Sequence, residues 1–168
     1  MFYKTTSPGL NTLAITTNGL LLPRLLPDLE KAGVNALNIS LDTLVEKKFS
    51  FITRRRGFHK VMQAIDMALD STIHSVKLNV VVMKGVNEEE IKDFVALTQH
   101  KRIDVRFIEY MPFGGNNWKD AKFISYQDQL QMIKFHYPNL VRLNDGPNDT
   151  TKGYAIPGWK GKIGFISS

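Results

Sequence analysis

The chain has 168 residues, is 43% hydrophobic and 23% charged, and carries a net charge of +6, a globular composition with enough apolar side chains for a core. It contains no cysteine, which excludes a disulfide framework, a cysteine-ligated zinc or iron–sulfur site and a thiol nucleophile within the chain. No apolar run approaches the roughly 20 residues of a membrane-spanning helix, and the opening MFYKTTSPGLN has neither the apolar core of a secretion signal nor the arginines of a transit peptide.

Leu13 to Thr17 reads as a short strand closed by the turn signal Asn18-Gly19. In LLPRLLPDLEKAG, Leu22, Leu25, Leu26 and Leu29 recur at helical spacing, and Gly33 suits the C-terminal cap. Pro23 and Pro27 blur the start of this helix. Roughly Ala36 to Leu41 is the next strand. There Asn38, Ser40 and Asp42 alternate with Leu37, Ile39 and Leu41, a period of two with one polar face. Arg54, Arg55 and Arg56 form the one tight basic cluster, read either as a solvated loop or as an anion site at a loop facing a ligand. FHKVMQAIDMALDS is a helix whose core stripe is Phe58, Val61, Met62, Ile65 and Leu69.

VKLNVVVM is a strand. VNEEEIKDFVALTQH is a helix with Asn87 as N-cap and Glu90 three residues on, the spacing of a capping box. Glu88, Glu89 and Glu90 suit the positive end of its dipole and call for no metal. DVRFIEYM is another strand. SYQDQLQMIKFHYP is a helix that opens at Ser125 and is ended by Pro138. Residues 139 to 161 are looser, with NDGPNDTTKG as a solvent loop, and KIGFISS closes the chain as a strand. There is no internal repeat, low-complexity tract or interdomain linker, so a single domain is expected.

Alternating strands and helices imply an α/β fold of parallel strands with right-handed crossovers, as an open sheet or a barrel. Strands of such sheets usually read as continuous apolar runs. Here Lys77 and Asn79 share one face of their strand, and Arg106 lies within another. Unpaired buried charge is prohibitively costly. Polar side chains on successive strands therefore point to the lumen of a full or partial (β/α) barrel that holds a polar ligand. In such barrels function gathers at the C-terminal strand ends.

The candidates are Thr16, Thr17, Asn18, Ser40, Asp42, Lys77, Asn79, Arg106 and Glu109. Each has a plainer explanation. Thr17 and Asn18 can close a turn, Asp42 can cap the next helix, and Lys77 or Arg106 can pair with a carboxylate. Lys77 and Arg106 converging on one pocket would attract phosphate or carboxylate, and a multiply charged nucleotide fits.

Other chemistries are weak. His59, His74, His100 and His136 show no metal-ligand spacing, and His59 and His136 read as surface residues. The glycines form neither a P-loop nor GxGxxG; Gly114-Gly115 lacks the rest of either fingerprint. The basic surplus favours acidic partners, but it is dispersed and shows no aromatic-interleaved stripe for stacking bases.

AITTNGLLL, NISLDTL, VKLNVVVMKGVNEEEI, VRFIEYMPFGGNNW and GKIGFISS occur in that order. Together they resemble GTP 3',8-cyclase, the radical S-adenosylmethionine enzyme of molybdenum cofactor biosynthesis, and ITRRRGFHKVM brings the likeness closest to eukaryotic members. The resemblance implies a partial (β/α) barrel. It implies one iron–sulfur cluster that helps to split S-adenosylmethionine into a deoxyadenosyl radical, and a second that helps to hold GTP, both of the 4Fe-4S type. The radical takes hydrogen from the ribose C3' of GTP, and the carbon radical attacks C8 of guanine. By motif, Thr16 would contact GTP, Lys77 and Arg106 its triphosphate, Ser40 S-adenosylmethionine, and Met111 S-adenosylmethionine through its backbone.

The family's N-terminal CxxxCxxC and its GGEP stretch are missing, and the chain stops at Ser167-Ser168 before the second cysteine motif. Both clusters lack protein ligands here, so the expectation is the middle of the enzyme (a fragment, truncated gene model or splice product) that is catalytically dead alone. Missing leading strands would leave an exposed sheet edge. The resemblance implies GTP as partner, neither nucleic acid nor membrane, and leaves a homo-oligomer of the full-length protein open. It suggests a mitochondrial location through animal relatives, and a cytoplasmic one otherwise. The competing readings are a non-catalytic nucleotide- or RNA-binding module and a decoy subunit for the full-length enzyme.

Overall fold

The computed structural model describes residues 3–6, 12–111, 121–146 and 150–167. In chain order the elements are β1 (Tyr3–Thr6), β2 (Leu13–Thr17), α1 (Leu22–Lys31), β3 (Ala36–Ser40), α2 (Glu46–Thr53), α3 (Phe58–Leu69), β4 (Ser75–Val82), a 3-10 turn (Glu88–Glu90), α4 (Ile91–Ala96), β5 (Asp104–Glu109), α5 (Tyr126–His136), β6 (Val141–Arg142), β7 (Thr151–Ala155) and β8 (Lys162–Ile166). They form two compact units, Met1–Leu78 and Asn79–Ser168, with the boundary inside β4.

In the first unit β2 and β3 are parallel, with Thr16 opposite Asn38. β1 runs antiparallel to β2, so the place beside β2 that the sequence leaves open is taken, and not by a parallel strand. The β2–α1 turn is made by short side chains. Thr17 Oγ1 accepts from the Gly19 N–H at 3.1 Å and Asn18 Oδ1 from the Leu20 N–H at 3.1 Å. Gly19 sits at φ 82°, where a side chain is strained, and a Cβ there would press on Val61 of α3 at 3.3 Å. Pro23 falls in the first turn of α1, where a missing N–H costs nothing. The helix ends as expected at Gly33, φ 85°. Gly33 N–H donates to Glu30 O and Val34 N–H to Leu29 O, the paired bonds of a Schellman cap.

The core of this unit is Leu22 and Leu26 of α1, Leu37 and Ile39 of β3, and Val61, Ala64, Ile65 and Ala68 of α3. The α3 stripe is thus centred on two alanines. Phe58, Met62 and Leu69 stand at its half-buried margins, which lets the helix approach closely. Helix α2, for which the sequence has no clear stripe, buries only Phe49.

In the second unit β5 and β8 are parallel, while β7 is antiparallel to β8 and β6 to β7. Residues 139 to 161 are therefore not one loose loop. Phe94, Phe107 and Phe165 are fully buried; Phe107 lies 5.7 Å from Phe165 and 6.4 Å from Phe94 between ring centres. α5 opens at Ser125, whose Oγ accepts from the Asp128 N–H at 3.1 Å. The capping box expected at Asn87 does not form. Its buried side chain bonds Val81 O at 2.9 Å and Met83 N–H at 2.8 Å instead, and the regular helix shrinks to Ile91–Ala96.

Candidate functional site

β4 alternates strictly: Val76, Leu78, Val80 and Val82 are buried, whereas Ser75, Lys77, Asn79 and Val81 are half-buried. β3 and β5 repeat the pattern, with Leu37, Ile39, Val105 and Phe107 inside and Asn38 and Arg106 on the other face. The polar groups of each strand thus share the less buried side, as the period of two predicts.

In the first unit Thr16 and Asn38 face one another, the Asn38 amide donating to Thr16 Oγ1 at 3.4 Å. Ser40 lies two residues further along the same face of β3, at its C-terminal end. Asp42 falls just beyond the strand. Ser40 and Asp42 line a cavity of about 290 Å³ together with Asn18, Thr53 and Arg55, over an apolar floor that includes Phe49 and Ile52. Lys77 is half-buried on β4.

Sequence reasoning missed the contribution of α2 to this cavity. Phe49, Ile52 and Thr53 come from that helix, and Arg55 follows it through a left-handed Arg54 at φ 55°. The arginine cluster was the available signal, and Arg55 is its member at the cavity. His59 is a surface residue, 3.2 Å from Glu46 with both side chains largely exposed.

In the second unit Arg106 Nε donates to Asn79 Oδ1 at 2.9 Å. Burial lowers the pKa of Arg106, and the nearby Asp104 carboxylate opposes that shift; arginine stays charged in proteins regardless. Glu109 is occupied locally: its Oε2 accepts from the Tyr126 N–H at 2.6 Å, the first residue of α5. Met111, just past β5, is half exposed. Gly114-Gly115 lies outside the described residues.

A 4Fe-4S cluster needs thiolate ligands. The chain has no cysteine, and among the described residues no three His, Asp or Glu side chains are grouped to hold a metal ion. The residues of this chain do not fit a cluster. No helix among the described residues is long and apolar enough to cross a membrane.

The strand–helix alternation and the polar strand faces belong to an enzyme superfamily: the model described as Radical SAM superfamily matches residues 4–98, and the chain belongs to that superfamily. Its fold class is α/β, of the partial (β/α) barrel type. A second model, Molybdenum Cofactor Synthesis C, matches residues 103–168. The chain is similar in particular to molybdenum cofactor biosynthesis protein 1 of Bos taurus, with 53% identity over 160 residues covering 95% of this chain and 25% of the relative. It is 48% identical to the mitochondrial GTP 3',8-cyclase of Arabidopsis thaliana, again over 95% of this chain and 41% of the relative. To the GTP 3',8-cyclase of Syntrophomonas wolfei the identity is 42%, over 95% and 49%. The chain thus spans from a quarter to about half the length of these relatives.

Proposed function

We propose that this chain is the core segment of a radical S-adenosylmethionine GTP 3',8-cyclase. That enzyme converts GTP to (8S)-3',8-cyclo-7,8-dihydroguanosine 5'-triphosphate in molybdenum cofactor biosynthesis. In this reading Thr16, Lys77 and Arg106 bind GTP, with the two cations taking the triphosphate, and Ser40 and Met111 bind S-adenosylmethionine. The observation that carries it is the cavity at the C-terminal end of β3. Ser40 sits there with an acidic and a basic side chain, Asp42 and Arg55, above an apolar floor, a suitable lining for a zwitterionic nucleoside. The chain supplies binding groups and no cluster ligands, so it does not turn over by itself. The name of the plant relative supports a mitochondrial location.

Calorimetric titration with GTP, S-adenosylmethionine and a short RNA tests the reading. Lys77→Ala and Arg106→Ala are each expected to weaken GTP binding roughly tenfold or more, the scale of one lost charge-assisted contact. Both should leave S-adenosylmethionine untouched, whereas Ser40→Ala should weaken it alone. RNA binding that is tighter than GTP binding and falls steeply with salt would replace this reading with that of an RNA-binding module.

A further inference from the structure

Arg106 is anchored within the second unit by a hydrogen bond on one side and faces a glycine on the other. On one side Asn79 Oδ1 takes its Nε–H at 2.9 Å. On the other, the β5–β8 register sets Arg106 opposite Gly164. A Cβ on Gly164 would stand 3.5 Å from Arg106 Cγ and 2.4 Å from Thr151 Cγ2. The missing side chain spares a clash with Thr151, and the arginine stem runs past Gly164 at ordinary contact distance. A guanidinium anchored through Nε presents its Nη1–Nη2 edge in a set plane, and that fork matches a pair of phosphate oxygens.

We propose that Asn79 is a positioning residue for anion recognition: its amide oxygen fixes the guanidinium plane of Arg106 so that the Nη edge meets the polyphosphate of a nucleoside triphosphate. The inference rests on the reading that Arg106 binds the triphosphate of GTP. A free arginine side chain has many rotamers to lose, and ordering it before the ligand arrives lowers the cost of binding. The acceptor is an amide, which orients the cation without cancelling its charge. A carboxylate at position 79 would orient it equally well and neutralise it. Asn79→Asp and Asn79→Ala therefore separate orientation from charge.

The experiment is calorimetric titration of the 168-residue chain with GTP, applied to the wild type, Asn79→Ala, Asn79→Asp, Arg106→Ala and the Asn79→Ala/Arg106→Ala pair. Asn79→Ala is expected to weaken GTP binding roughly tenfold, the scale of one hydrogen bond to a charged group. It should add nothing once Arg106 is alanine. Asn79→Asp should weaken binding at least as much despite retaining an acceptor. An Asn79→Ala loss that is absent, or equally large in both backgrounds, overturns the proposal while leaving the role of Arg106 intact. GTP binding that is undetectable, or indifferent to Arg106→Ala, fells the parent reading and this inference together. Nitrogen-resolved NMR of the wild type needs no variant: the Arg106 Nε proton should exchange more slowly than those of exposed arginines, and equally fast exchange overturns the anchor.

Discussion

Tyr126 shows how one side chain couples packing to pH. Its hydroxyl hydrogen-bonds the Tyr154 hydroxyl, its ring meets Phe165 edge-on at 4.9 Å, and the Lys152 ammonium lies 4.4 Å from its centre. Burial, and then the Tyr154 hydrogen bond, push its pKa up to about 12. The fold therefore favours the neutral phenol, whereas the unfolded chain ionises near 10. The stabilisation is complete below pH ~10 and is lost as the pH climbs towards 12. Urea midpoints should be level for this group from pH 7 to 9 and fall above about 10, and Tyr126→Phe should flatten that fall. An alkaline fall of equal size in the phenylalanine variant would refute the assignment. Glu109 adds a residue-scale lesson. Its place at a strand end made it a site candidate, but its carboxylate serves the first N–H of α5, close to the positive end of the helix dipole.

At the scale of elements, Asn87 explains why one helix was misread. The run Asn87 to Glu90 has the composition of a capping box, but the chain leaves β4 in a tight reversal whose backbone groups need partners first. Met83 O takes the N–H groups of Val86 and Asn87, and the Asn87 amide ties Val81 O and Met83 N–H. A side chain so engaged cannot cap a helix. Asn87→Ala removes both bonds from a buried position and should cost about 2 kcal/mol or more, a drop of several degrees in melting temperature without loss of GTP affinity. Asn87→Asp keeps the acceptor for Met83 but turns a carboxylate oxygen towards Val81 O in a buried position, so it should cost at least as much as the alanine; a melt unchanged by either variant counts against the account.

Period and punctuation made β2, α1, β3, α3, β4, β5, α5 and β8 legible, because each buries an apolar face or ends on a glycine or proline. α2 was not legible because a single buried phenylalanine makes no stripe and Val45 offers no capping side chain. β6 was not because it has two exposed residues, nor β7, in which only Tyr154 is buried. The cavity lining was readable to the same degree: polar alternation marked Ser40 and Asp42 and the arginine cluster offered Arg55, while Thr53 depended on the helix that periodicity did not reveal.

For the whole molecule, the decisive quantity is what the side chains can donate to iron. Superfamily membership implies S-adenosylmethionine and iron–sulfur chemistry, and thiolates hold such clusters. This chain has none to give. Its four histidines are scattered, and among the described residues no carboxylate–imidazole group could substitute. Anaerobic incubation with iron and sulfide should therefore leave the purified chain without the broad visible absorbance and the reduced-state paramagnetic resonance of a 4Fe-4S cluster. With S-adenosylmethionine, GTP and a strong reductant it should release no deoxyadenosine. The nucleotide binding proposed above draws on other residues, so on that proposal GTP titration of the same sample should still produce heat that Arg106→Ala abolishes or weakens. A cluster signal with stoichiometric iron, or any turnover of GTP by this chain alone, would mean that ligands other than thiolates suffice.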